Sequence, residues 1–145
     1  MKLCIVFDTN IIISGTLWSG APRKALESAK TGVVQSIFSE SLLDELKQVV
    51  ERAKFKKQRE LLNLTPEQIV SNFLAYTEII EPTEQIPIAR DVDDDAVLAC
   101  ALGGKADGIV TGDSDLLVLK IYETIPIWNV SEYLAHLKAS STAPD

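Results

Sequence analysis

The sequence predicts an α/β fold built around a mainly parallel sheet, and two observations carry that prediction. Short β-branched and aromatic runs alternate with helical segments along the chain. The first of these runs is apolar at consecutive positions, not at every second one, as expected of a strand covered on both faces. A length of 145 residues suits one domain with a real core. The expected division is a single domain over residues 1–138 and a flexible tail over 139–145, where "SSTAPD" offers nothing to bury.

"LCIVF" (Leu3 to Phe7) reads as the first strand and ends in Asp8. "SGAP" then opens a helix with Pro22 near its start, followed by the segment Lys24 to Lys30. "GVVQSIF" (Gly32 to Phe38) is a second strand. Ser39 is placed to cap a helix from Glu40 to about Arg52, with Leu42, Leu43, Leu46, Val49 and Val50 at helical spacing. Thr65 and Pro66 are the cap and first residue of a further helix that turns extended near Ile79. Asp91 to Leu102 reads as a helix stopped by "GGKAD". "GIVTGD" and "TIPIWNV" are strands, and "SEYLAHLK" is a last helix capped by Ser131.

Cys4 and Cys100 lie in apolar runs without metal-ligand spacing, so a disulfide framework and a zinc site are not expected. No segment approaches the roughly 20 apolar residues of a membrane span, and the N-terminal run is too short for a signal peptide. A soluble cytoplasmic protein is expected. The formal charge of −7 counts against a nucleic-acid binder, whose affinity comes from lysine and arginine.

The acids are unevenly placed. In an open α/β sheet, ligands bind beyond the carboxyl ends of the strands, and Asp8 and Asp113 stand at two such ends. Turn chemistry accounts for either one alone; the two together favour a site. On the helix from Glu40, Glu45 lies at the edge of the apolar stripe, whereas Asp44 and Glu51 point away. In "DVDDDAVLACA", Asp94 precedes Val97, Leu98 and Ala101 by three, four and seven residues and so falls on the buried face. Helix initiation and solvent account for Asp91, Asp93 and Asp95. Four carboxylates converging in one crevice would repel each other, and a hard divalent cation with oxygen ligands, Mg²⁺ or Mn²⁺, resolves that.

The blocks "VFDTNIIISG", "SESLLDEL", "RDVDDDAVLACA" and "IVTGDSDLL", in that order, resemble the PIN-domain ribonucleases, and among them the bacterial toxin components of toxin–antitoxin systems. The resemblance implies a three-layer α/β/α sandwich, an RNA substrate and metal-dependent hydrolysis in which activated water attacks phosphorus in line and the ribose 3′-oxygen leaves. It assigns the catalytic and metal-binding roles to Asp8, Glu45, Asp94 and Asp113, with Asp115 as a further ligand. Asn10 and Thr111 become supporting residues that orient carboxylates. It also implies an antitoxin partner and homodimers, with Trp18 and Trp128 placed either at an interface or in the core. Two bound Mg²⁺ would bring the net charge to about −3. "RAKFKKQR", with Lys54, Lys56 and Lys57, then offers a surface for RNA or for a partner's acidic segment. Arg23 and Lys24, expected nearer the crevice, offer a second. His136, the only histidine, is expected at the surface.

Two other functions compete. A haloacid-dehalogenase-like phosphatase needs an aspartate two positions after the strand-end nucleophile, where this chain has Asn10. A PIN-like module that binds RNA or protein without catalysis would be favoured by a degenerate acidic set, and this set is complete. A P-loop is excluded because Ala21 stands where the phosphate-binding lysine would be.

Overall fold

The computed structural model describes residues 2–83 and 92–142, with the side chains of residues 92–94 and 141–142 outside that description. Six strands form one sheet: β1 (Leu3–Phe7), β2 (Val34–Phe38), β3 (Thr77–Ile79), β4 (Gly108–Val110), β5 (Ile121–Tyr122) and β6 (Ile125–Trp128). Their order is β3-β2-β1-β4-β6-β5, and every pairing is parallel except β5 with β6. The chain builds outward from β1 through β2 to β3, then returns to place β4 and β6 on the other side. The order therefore reverses between β1 and β4, which is where an open α/β sheet leaves a crevice at its carboxyl edge. Both sheet edges are closed by short strands, three residues in β3 and two in β5.

Ile5, Val6 and Phe7 are buried, so both faces of β1 are covered. Phe7 meets Tyr133 edge-on, with ring centroids 5.8 Å apart, in helix α8 (Val130–Thr142). The register of β1 with β2 continues to place Ile37 beside Val6, on the other face, and Ile37 lies against Gly104 just past helix α6 (Val92–Gly103). Helices thus cover the sheet from two sides. The remaining helices are α1 (Thr9–Leu17), α2 (Ala21–Lys30), α3 (Glu40–Val49), α4 (Lys56–Leu61), α5 (Pro66–Leu74) and α7 (Ser114–Leu117).

Local signals explain most boundaries. Ser39 caps α3 by accepting from the Leu42 amide at 3.3 Å. Thr65 and Gln68 form a reciprocal capping box at α5, with Pro66 at the first position. At α8 the sequence reading needs correction: Asn129 Oδ1, not Ser131, accepts from the Glu132 amide at 2.8 Å, while Glu132 Oε1 accepts from the Asn129 amide at 2.9 Å. That box starts the helix at Val130 and leaves Ser131 inside it. The same helix continues to Thr142, into the segment expected as a tail.

Helix α1 was not expected. Six of its nine residues are buried, so it has little polar face and no amphipathic period to read. Gly15 lets α2 pack against it, since a Cβ there would stand 2.7 Å from the Pro22 carbonyl oxygen and 2.6 Å from Leu26 Cδ1. "RAKFKKQR" forms a 3₁₀ turn at Ala53–Phe55 followed by α4.

The β5–β6 hairpin turns through Glu123 and Thr124 at φ 49° and 76°. Two central residues at positive φ make a type I′ turn, for which Asn-Gly is the favoured pair, and a β-branched residue is the least suited to it. Such strain costs about 1 kcal/mol or more. The double variant Glu123→Asn, Thr124→Gly is expected to raise the melting temperature by about 2–4 °C; a lower melting temperature would contradict this assignment of the turn.

Candidate active site

The crevice is assembled around the end of β1. The Asp8 amide donates to the Val110 carbonyl at 2.9 Å, which extends the β1–β4 pairing by one residue. The Asp8 side chain caps α1, with Oδ1 accepting from the Thr9 amide at 2.7 Å. Its other oxygen, Oδ2, accepts from the Thr111 hydroxyl at 2.7 Å. Thr111 follows β4 and is held by its own amide, which donates to the Trp128 carbonyl at 3.0 Å. Because the Thr111 hydroxyl donates to Asp8, it accepts from the Asp113 amide, at 3.0 Å. Asp113 in turn caps α7, with Oδ1 accepting from the Asp115 amide at 2.8 Å. One hydroxyl thus fixes the spacing of two carboxylates that are 105 residues apart in sequence.

Glu45 reaches the same place from α3. The Thr9 hydroxyl donates to Glu45 Oε1 at 3.1 Å and lies 3.5 Å from Asp8 Oδ1. Glu45 is half-buried and Asp44 exposed, as the helical count requires, whereas Glu51, also exposed, lies past the end of α3, which stops at Val49 short of the expected Arg52. Thr9, 1% exposed, was not singled out in the sequence. No local signal singled it out, because the helix it starts has no amphipathic period and its partner Glu45 comes from α3.

Asp8 is 7% exposed, and burial pushes its carboxyl above the ordinary value of 3.8. Hydrogen bonds from Thr111 and Thr9 oppose that rise, and the negative charge of Asp113 adds to it. Among the described residues, the influences on Asp8 are neutral donors and another acid, with no cationic side chain among them.

The other expected residues fall as follows. Asp115 is exposed on the first turn of α7. Asn10 is exposed on the first turn of α1 and, among the described residues, orients no carboxylate. Thr111 is buried and does orient one. Asp94 belongs to α6, but its side chain lies outside the described residues, as does Asp91 altogether. Asp93 lies inside α6, not at its cap. Asp95, expected in solvent, is 6% exposed. The reason is that Asp95 to Ala101 are all buried, so α6 has no solvent side here and a count of its apolar face cannot separate inward from outward. Ser39, Ser41, Thr83, Ala96 and Ala99 line one hollow, which sets this end of α6 beside the start of α3, at the carboxyl edge of β2.

Arg23 is not near the crevice. Its Nε and Nη2 donate to the Gly15 and Thr16 carbonyls at 3.2 and 3.1 Å, at the opposite end of α1 from Asp8. Trp128 stacks on the exposed His136 at 4.7 Å, and Trp18 is 42% exposed.

The donors gathered at the crevice are oxygens alone, a set that fits a hard cation such as Mg²⁺ or Mn²⁺. Among the described residues no three His, Cys, Asp or Glu side chains form a group that could hold a metal ion. A full set would draw on acids of α6 as well.

Fold and crevice together define an α/β protein with strand-end acids at the reversal of its sheet. The chain belongs to the PIN domain family, whose model matches residues 4–115. It is 31% identical over 121 residues to an uncharacterized protein of Methanocaldococcus jannaschii, covering 83% of this chain and 77% of that one. The fold is similar to that in the crystal structure of VapBC2 from Rickettsia felis bound to a DNA fragment from their promoter. That likeness has a TM-score of 0.60 and 17% identity, over 88% of this chain and 98% of the other. FitAcB from Neisseria gonorrhoeae matches with a TM-score of 0.54 and 19% identity over the same shares. The RRP44 PIN domain of T. brucei matches with a TM-score of 0.51 and 14% identity, over 98% of this chain and 84% of that one. Among the described residues, no helix is long and apolar enough to cross a membrane.

The Asp8 environment has a consequence for stability. A carboxyl raised on folding holds its proton more tightly in the native state, so its contribution is full below the unfolded value of 3.8 and is lost as pH rises through the raised one. In chelator, Asp8→Asn is therefore expected to melt above the parent at neutral pH, with the difference shrinking as pH falls toward about 4. A variant melting below the parent by a constant margin at every pH would contradict this.

Proposed function

We propose that this protein is a metal-dependent ribonuclease that hydrolyses RNA phosphodiester bonds, and that it acts as the toxin of a toxin–antitoxin pair. The observation that carries the reading is the bonded chain from Glu45 through Thr9 and Asp8 to Thr111 and Asp113 at the reversal point of the sheet. Asp8, Asp113 and Glu45 would hold Mg²⁺ or Mn²⁺ together with an acid of α6. Sequence spacing favours Asp94 for that place, and Asp95, 6% exposed, is a second candidate. When bound, the cation supplies charge neutralisation for the phosphate and lowers the pKa of the attacking water.

The side chains do the rest. Thr111 and Thr9 fix the Asp8 carboxylate in one orientation, and Thr9 draws Glu45 against it. Burial keeps bulk water from competing for Asp8. Asp115, exposed at the rim, is placed to meet solvent or substrate. Residues 1–138 would act as one PIN-like unit. Membership of the PIN family supports the nuclease reading, and the likeness in fold to the chains of VapBC2 and FitAcB supports an antitoxin partner.

The test incubates the protein with structured and single-stranded RNAs in Mg²⁺, Mn²⁺ or chelator. Cleavage is expected only with metal, and Asp8→Asn or Asp113→Asn is expected to lower it by about 100-fold or more. Of Asp94→Asn and Asp95→Asn, the one that loses activity to the same degree identifies the α6 ligand. Turnover of phosphomonoesters with no cleavage of RNA would overturn the reading in favour of a phosphatase.

A further inference from the structure

The sequence offers two separate groups of cations, Arg23 with Lys24 and the run from Arg52 to Arg59, and the fold brings both to one end of α1. Arg23 donates to the Gly15 and Thr16 carbonyls, and Gln58 Nε2 donates to the next one, Leu17, at 2.8 Å. Phe55 is buried beneath this corner and meets the Trp18 ring edge-on at 6.2 Å. Lys54 Nζ stands 5.1 Å from the centre of the Phe55 ring. Residues 52–59 hold five of the chain's 14 cations and no acid, and Arg52, Lys54, Lys56 and Lys57 are exposed. In a chain of net charge −7 this is a local reversal of sign.

We infer that Trp18 and the adjoining basic segment, with Lys54, Lys56 and Lys57, form a holding surface for single-stranded RNA, set apart from the cleavage crevice by the length of α1. Trp18 is 42% exposed and braced by Phe55, so it presents ring surface to solvent on which a base can stack. Lysines around it neutralise the flanking phosphates, which is the combination that binds single strands with little sequence preference. An acidic protein segment would use the lysines but gives the exposed ring no base to stack on. From Asp8 to Trp18 the helical rise amounts to about 15 Å. That is roughly four steps of a stacked strand at 3.4 Å each. Because α1 is packed over most of its surface, this is the least span that a strand held here must cover to reach the crevice. The inference rests on the ribonuclease reading for the direction of the strand, and on this surface alone for binding.

The test measures fluorescence anisotropy of a 5′-labelled oligouridine of about twelve nucleotides with the full chain in chelator, so that binding is read without cleavage. Replacing Lys54, Lys56 and Lys57 together by Gln is expected to weaken binding and to reduce the salt slope by about 2, at 0.7 per phosphate. Trp18→Ala is expected to weaken it about tenfold, and Trp18→Phe to retain most of the affinity. Melting temperatures matching the parent identify these as surface effects. Unchanged affinity and slope in the lysine variant would overturn the inference. So would polyglutamate binding that these variants lose while oligouridine binding is unaffected, which would assign the surface to an acidic partner. Asp8→Asn is expected to bind oligouridine as the parent does, so the loss of cleavage and the loss of binding are separate readouts.

Discussion

An aspartate at the end of a central strand has to be dehydrated if the sheet is to close around it, and Asp8 is 7% exposed. Two donors limit that cost: the Thr9 amide on one oxygen and the Thr111 hydroxyl on the other. These bonds tie elements together that are far apart in sequence. Thr111 is present only because β4 lies parallel to β1, and its hydroxyl then spaces Asp113 from Asp8. Thr9 is present because α1 starts on Asp8, and its hydroxyl draws in Glu45 from α3. The donors do not remove the excess of negative charge, since burial and Asp113 both push the Asp8 carboxyl up. A bound cation would relieve both.

The same helix that begins at this acid carries the rest of the account outward. Its first turn belongs to the crevice and its last to the basic surface, where Arg23 and Gln58 occupy the terminal carbonyls. Cations placed at the negative end of a helix dipole are favourably set there, and the acid at the positive end likewise. The net charge of the chain therefore says little about where RNA could be held. What matters is that the crevice acids lie at one end of α1 and the run of cations from Arg52 to Arg59 adjoins the other.

Most strands and the first helix caps were legible because short-range chemistry decides them, while the two-residue β5 was not read. Ser39 and Thr65 cap as expected and Asp8 directly follows β1 as expected, whereas β4 stops at Val110 and Asp113, three residues on, caps α7. What could not be read depended on burial from several sides. α1 is packed over most of its surface and so lacks a polar face. Asp95 was expected in solvent because its neighbours Val97, Leu98 and Ala101 define a face, yet the whole stretch from Asp95 to Ala101 is enclosed. Thr9 gains its place from α3, which no local pattern announces. The convergence of Arg23 with Lys54 likewise depends on how α2 and the 3₁₀ turn meet the end of α1.

If the carboxylates around Asp8 are gathered to bind a divalent cation, thermal melting during a Mn²⁺ titration will register it. A ligand that binds only the native state raises the melting temperature with its concentration. The parent is predicted to show a saturable rise that Asp8→Asn and Asp113→Asn both lose. An equal rise in parent and variants, or none in the parent, would contradict the account.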